Sequence, residues 1–241
     1  MAWNQNTTIT YLGHSCVLIE TPGGKRLLLD PFLTGNPATP EAWKSLDALP
    51  PLDIVLLTHI HEDHCADAVA VAERNPNAPV VAIVEACAWL GSKGVTNLAY
   101  MNKGGTQRIG DIAITMTHAD HSSSFTEADG RVVFGGEPAG YVLTLENGFT
   151  IYAAGDTALF GDMALIGELY RPTLALLPIG DHFTMGPREA AYALKLLKVP
   201  HVLPIHYATF PLLTGTPESL EQYTQGLGVT IHALKPGETL R

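Results

Sequence analysis

The sequence predicts an α/β domain built of packed layers, and three observations carry that expectation. Short apolar runs of strand type alternate with helix-like segments along the chain. Apolar residues make up 46% of the 241 and charged ones only 16%, so a sizeable core can be buried. No linker, short repeat or low-complexity tract interrupts the pattern, and one domain over residues 1–241 is expected.

The amino-terminal third reads as strands and turns. "TITYLGHSCVLIE" holds two extended segments broken at Gly13, and "TPGGKRLLLD" supplies a turn and a strand ending at Asp30. "PFLTGNPATP" has the proline, glycine and asparagine content of a loop. "DIVLL" is a strand of buried type, and "ADAVAVAER" has helical composition from Ala66 until Asn75-Pro76 stops it. "APVVAIV" leads into the helix-like "EACAWLGS", and the strand "DIAITMT" runs up to "HADHSSS". A polar loop is expected from there through Gly136. "AGYVLTLENGFTIYAAGDT" then reads as a hairpin turning at Asn147-Gly148. Beyond it come a helix near "GDMALIGELY", the strand "TLALLPIG" and the helix "GPREAAYALKLLK". The strand "HVLPIHY", the helix "PESLEQYTQGL" and a last strand, "TIHAL", complete the chain.

Composition narrows the function. The formal net charge is -10, which repels phosphate backbones and argues against a general nucleic-acid binder. The expected partner is a small-molecule substrate. Cys16, Cys65 and Cys87 lack the number and spacing of a disulfide framework or a zinc knuckle and read as buried thiols in a reducing compartment. The amino terminus lacks a basic region followed by an apolar one, and no apolar run reaches the ~20 residues that cross a bilayer. A cytoplasmic protein without membrane contact is expected; homo-oligomerisation stays open.

The chemistry concentrates in "IVLLTHIHEDHC". A core could not hold His59, His61 and His64 unpaired without a large desolvation cost. In extended chain His59 and His61 point to the same side, so both imidazoles can face one point. Asp63 and His64 follow where the chain turns into the helix beginning near Ala66, and their different direction suits a second point nearby. Imidazole nitrogen and carboxylate oxygen are zinc ligands, and two ions ~3.5–4 Å apart can share a hydroxide. Four ligands cannot fill two such sites. Further candidates follow other apolar runs: His118 and His121 in "THADHSSS", Asp156 in "YAAGDT" and His206 in "LPIHY". Spacing does not decide between His118 and His121.

The order "THIHEDH", "HADHSSS", "AAGDT", "PIHY" resembles the metallo-β-lactamase superfamily. "YLGHSC", "DPFLTGNP", "GGEPAGYVL", "AGDTALFGDM", "LPIGDHFTMGP" and "HYATFP" look like its uncharacterised metal-dependent hydrolases close to the ascorbate-6-phosphate lactonases. The resemblance implies a four-layer αββα sandwich with two divalent metal ions, Zn or Mn, in a cleft at one edge of the sheets. By motif, His59, His61 and His121 would hold the first ion, Asp63, His64 and His206 the second, and Asp156 would bridge them. "ADHSSS" selects His121 and leaves His118 as a surface or outer residue. Where the superfamily often has glycine after the Asp-His pair, this chain reads "DHCADA", which puts the course of that loop in question. Cys65 reads as a packed thiol.

Around these lie further candidates. Asp30 either starts a turn before Pro31 or accepts the free N–H of a ligating imidazole. His14, at the glycine break, is a core histidine or reaches the metals or substrate; it and water bound at Asp156 are the two candidate catalytic acids. Asp181 and His182 follow a strand end and suit a cleft-lining loop, with Asp181 orienting a ligand. The expected reaction is hydrolysis of a small polar ester or lactone by a dinuclear metal-bound hydroxide. A small phosphodiester is the alternative, and a non-catalytic metal-bound sensor or scaffold the alternative from another class. "Gly-x-Ser-x-Gly" is absent, so no serine nucleophile is implied.

Overall fold

The computed structural model describes residues 3–241. β1 (Thr8–Gly13), β2 (Cys16–Glu20) and β3 (Arg26–Leu29) form an antiparallel meander. A short helix α1 (Glu41–Lys44) precedes β4 (Ile54–Leu56), and α2 (Glu62–Cys65) and α3 (Ala68–Arg74) lead to β5 (Val80–Ile83). Helix α4 (Val84–Ser92) and β6 (Leu98–Met101) follow. Neighbours from β3 to β6 are parallel, because each return passes through a crossover.

The second half opens with β7 (Thr106–Ile109) and β8 (Ile112–His118), then a separate small hairpin, β9 (Ser124–Thr126) and β10 (Val132–Phe134). β11 (Ala139–Thr144) and β12 (Thr150–Ala153) are the expected hairpin. After α5 (Met163–Tyr170), β13 (Leu174–Pro178), α6 (Pro187–Leu197), β14 (His201–Ile205), α7 (Pro217–Thr224) and β15 (Thr230–Ile231), the chain crosses back. Its final strand, β16 (Thr239–Leu240), pairs antiparallel with β1. Each of the two large sheets has seven strands.

Side-chain alternation builds the layers. Tyr141, Leu143, Ile151, Leu174, Leu176 and Leu203 share one core with the first sheet. Their neighbours Val142, Tyr152, Ala175, Leu177 and Val202 face the other way, against Met163, Ala190, Leu194 and Leu220 of the later helices. Ala68, Val71 and Leu90 of α3 and α4 close the outer side of the first sheet. The four-layer αββα arrangement is therefore present. No helix among the described residues is long and apolar enough to cross a membrane.

Three expectations need correction. The helical turn begins at Glu62, not near Ala66, so Asp63 and His64 already lie on it; acidic side chains suit the first turn of a helix. The polar stretch before Gly136 contains β9 and β10, because Val132, Val133 and Phe134 favour extended pairing. "TIHAL" is not the last strand. Only Thr230–Ile231 of it pairs, and Thr239–Leu240, too short to show a period, closes the opposite sheet edge.

The two sheets are bonded as well as packed. The buried Tyr141 hydroxyl donates to Leu57 O at 2.8 Å and lies 3.2 Å from Val81 O. Tyr141→Phe keeps the ring and removes this cross-sheet donor. It should lower unfolding free energy by about 1 kcal/mol, read as a lower urea midpoint at unchanged slope.

Candidate metal centre

The carboxyl ends of β3, β4, β8, β12 and β14 deliver their following residues to one edge, as parallel strands in layered α/β folds do. That edge is tied across the sheets by two backbone bonds, Ala139 N to Thr58 O at 3.0 Å and His206 N to His14 O at 2.7 Å. His59, His61, Asp63, His64, His121, Asp156, His206 and His14 all meet there.

Two groups can be distinguished. His59 and His61 flank the buried Ile60, whose N–H donates to Ser123 Oγ at 3.2 Å. The extended chain turns both imidazoles to one side, with His59 Nε2 and His61 Nδ1 3.0 Å apart. His121 completes this group, its ring centre 5.3 Å from that of His59 and 5.1 Å from that of His61. The second group is Asp63, His64 and His206, joined by His14. Asp156 stands between them. Its Oδ2 lies 3.0 Å from His206 Nε2, 3.3 Å from His64 Nε2 and 3.7 Å from His121 Nε2.

Several of these atoms have no hydrogen-bond partner although they are buried: His64 Nε2, both ring nitrogens of His206, Asp156 Oδ1 and His14 Nδ1. For His64 the reason is legible. Its Nδ1 is 2.9 Å from Asp30 Oδ2 and donates there, so in the neutral ring Nε2 carries a lone pair aimed at a carboxylate oxygen. Two atoms so placed need either a proton on Nε2 or a cation between them. Imidazole nitrogens and carboxylate oxygens in this arrangement are the donor set of a divalent metal site, and the cluster could hold one.

The electrostatics divide the cluster. Burial alone would raise the Asp156 carboxyl, but His206 and His64 outweigh it and hold the group well below the ordinary value. Burial pushes His59 well below its ordinary value, with the His64 charge adding to the effect. His61 and His121 are lowered too, chiefly by burial. His64 is the exception: burial lowers it, yet Asp156 and Asp30 outweigh that and push it up.

Asp30 sits behind the site as an acceptor for His64, and it is fully buried. Its second role was not legible from sequence: Thr58 donates its N–H to Asp30 Oδ1 and its hydroxyl to Oδ2, both at 2.8 Å. Thr58 Oγ1 also lies 3.0 Å from His59 Nδ1, so one threonine links both groups of the site. A hydroxyl directly before "HIH" was the available signal. Asp67 accepts from Leu33 N, Thr34 N and Thr34 Oγ1, fixing the loop after Asp30.

Other candidates are not brought in. His118 is exposed at the end of β8, accepting from Lys103 Nζ at 3.2 Å and meeting Phe160 edge-on. Asp181 and His182 are exposed, and the Asp181 carboxylate accepts the His182 N–H rather than an imidazole. Asp181 therefore orients none of these histidines. Cys65 is buried within α2, and "DHCADA" continues through a helical C-cap at Ala66, with Asp63 and His64 still in the cluster. His14 is fully buried, and burial pushes it down to about 4 despite its bond to Asp63. A ring so enclosed lacks the cleft exposure that a proton donor to substrate needs.

A family described as "Beta-lactamase superfamily domain" matches residues 25–207. A UPF0173 metal-dependent hydrolase of Rubrobacter xylanophilus is 53% identical over 97% of this chain and 96% of its own. The chain belongs to the UPF0173 metal-dependent hydrolases of the metallo-β-lactamase superfamily. The hydrolase is also 45% identical to the Archaeoglobus fulgidus member, over 96% of this chain and 97% of that one. Among solved structures, Igni18, a metallo hydrolase from Ignicoccus hospitalis, superposes with a TM-score of 0.85 at 36% identity, covering 97% of each chain. A metal-dependent hydrolase from Parabacteroides distasonis, at 22% identity and a TM-score of 0.72, shares the fold.

The hydrolase should depend on Asp30 without touching it to substrate. Asp30→Asn keeps the size and removes the charge that orients His64. Divalent-metal affinity, measured by competition with a chelator, should fall by ~10–100-fold while the fold is retained.

Proposed function

We propose that this metal-dependent hydrolase works as a single domain with two divalent ions, Zn or Mn, and cleaves a small polar ester or lactone. His59, His61 and His121 would hold one ion and Asp63, His64 and His206 the other. The observation that carries this is Asp156, whose Oδ2 stands within 3.7 Å of nitrogens from His121 in one group and His64 and His206 in the other. One carboxylate serving both groups is the role of a bridge.

Divalent ions held by these residues would supply an acidified water and polarisation of the bond to be cleaved. The chain supplies the rest. Asp30 keeps the His64 proton on Nδ1, leaving Nε2 as a donor atom. Burial of His59 disfavours its protonation, so that its lone pair is available. Ser122 Oγ, exposed and 3.4 Å from His61 Nε2, lies at the rim as a hydrogen-bonding group for a polar substrate. The ester or lactone preference rests on the resemblance to the lactonases, and the acidic chain favours a small substrate over a polyanion.

The experiment is metal analysis followed by turnover of chromogenic lactones, esters and phosphodiesters with Zn- or Mn-loaded enzyme. Two ions per chain and lactone or ester turnover are expected; turnover of phosphodiesters alone would overturn the substrate class. Asp156→Asn should lose one ion more readily and cut hydrolysis by at least ~10²-fold, the fold surviving in its circular dichroism. His121→Ala should empty the first position. His118→Ala should leave metal stoichiometry unchanged, since its ring bonds Lys103 outside the cluster.

A further inference from the structure

His14 is the one member of the cluster that the two-ion reading leaves without a task, and it lies outside the span matched to the superfamily. Its surroundings are unusually specific. Nε2 is 3.1 Å from Asp63 Oδ2. Its ring centre is 4.0 Å from that of His206 and 5.5 Å from that of His64. Phe32 and Phe210 close the ring in edge-on, at 5.9 and 5.5 Å. The backbone is committed as well: His14 has φ 57, and its carbonyl accepts from His206 N at 2.7 Å and from Tyr11 OH at 3.1 Å. A non-glycine residue in the left-handed region is costly, and such strain persists where the surroundings fix it.

The tautomer follows from the partners. A buried imidazole that ligates a metal through Nε2 normally donates its Nδ1–H to an acceptor, as His64 does to Asp30. His14 Nδ1 is buried with no acceptor at all. A proton there would be an orphaned donor, whereas a lone pair there is cheaper to leave unmatched. The proton therefore belongs on Nε2, pointing at Asp63 Oδ2.

We propose that His14 is a positioning residue for the second metal position: it donates Nε2–H to Asp63 Oδ2, the oxygen that faces His206 Nε2 at 3.9 Å, and so fixes the orientation of the carboxylate towards the ion. It is not itself a ligand. This rests on the two-ion reading above. A carboxylate with one oxygen held by a neutral donor keeps a single orientation and would present it to an ion. Without the donor the carboxylate, a third of it exposed, could swing, and the set it forms with His64 and His206 would hold an ion less tightly.

The test compares His14→Phe, which fills the same space without a donor, with His14→Gln, whose amide restores one. Co(II) is titrated into apo-protein, and the two binding steps are followed by absorption and calorimetry. Wild type should bind two ions. His14→Phe should weaken the second step by ~10–100-fold and leave the first unchanged, and His14→Gln should recover most of the loss. Equal second-step affinity in wild type and His14→Phe would overturn the inference, as would a His14→Gln variant as weak as His14→Phe. Should the variants fail to fold, the wild-type tautomer decides. Long-range ¹H–¹⁵N spectra of the zinc-loaded protein should show His14 protonated on Nε2, and a metal-shifted Nε2 would make it a ligand and the inference wrong. A wild type that binds one ion only overturns the two-ion reading itself, and this inference with it.

Discussion

A carboxylate only 2% exposed, at the seam of two sheets, has to be compensated where it stands, and Asp156 sets that demand. Left alone at such depth it would cost several kcal/mol, so the chain surrounds it with ring nitrogens from three separate segments, α2 and the stretches after β8 and β14. The local backbone is shaped to the same end. Gly155 has φ +64, and a Cβ there would come within 2.7 Å of Ala139 O. Only glycine lets the chain leave β12 close enough to β11 to drop Asp156 into the seam. The sequence "AAGDT" is thus a packing solution as much as a motif.

Strain is spent at the same place. His14, Asp30 and His206 all have positive φ, at 57, 44 and 55. Each such residue costs on the order of 1–3 kcal/mol unless its surroundings hold it. Here they do: His206 N bonds His14 O, Asp30 N bonds Leu56 O at 2.9 Å, and Thr58 N bonds the Asp30 carboxylate. The bonds that hold the strained residues are those that join strand ends within and between sheets. Stability and site geometry are therefore coupled at the edge, while the cores behind it rest on ordinary aliphatic packing.

Most strands and helices were legible because their apolar periodicity is local. The strand ends carrying His59, Asp156 and His206 could be read for the same reason, since each follows an uninterrupted apolar run. What sequence could not give was distance. The hydroxyl before "HIH" marks Thr58 but not its bond to Asp30, 28 residues away, and nothing local marks His14 as the partner of Asp63, 49 residues away. Spacing left His118 and His121 equivalent; the structure separates them by where β8 ends. β16 escaped because two residues show no period, and its pairing with β1 is set by the fold's closure rather than by its own composition.

Asp181 and His182 show why a strand-end position alone does not make a site residue. β13 ends beside β14, and Ile179 N still bonds Ile205 O. The next residue, Gly180, lies so close to β14 that a Cβ would fall 2.1 Å from His206 O. Backbone fills the space where a side chain would need to enter. Asp181 and His182 then take left-handed φ values of 65 and 54, and the turn closes on itself through Asp181 N to Met185 O at 3.1 Å. Their side chains end up exposed. Gly180 thus seats His206 by backbone contact, and it does so by excluding from the cluster the very acid that follows it.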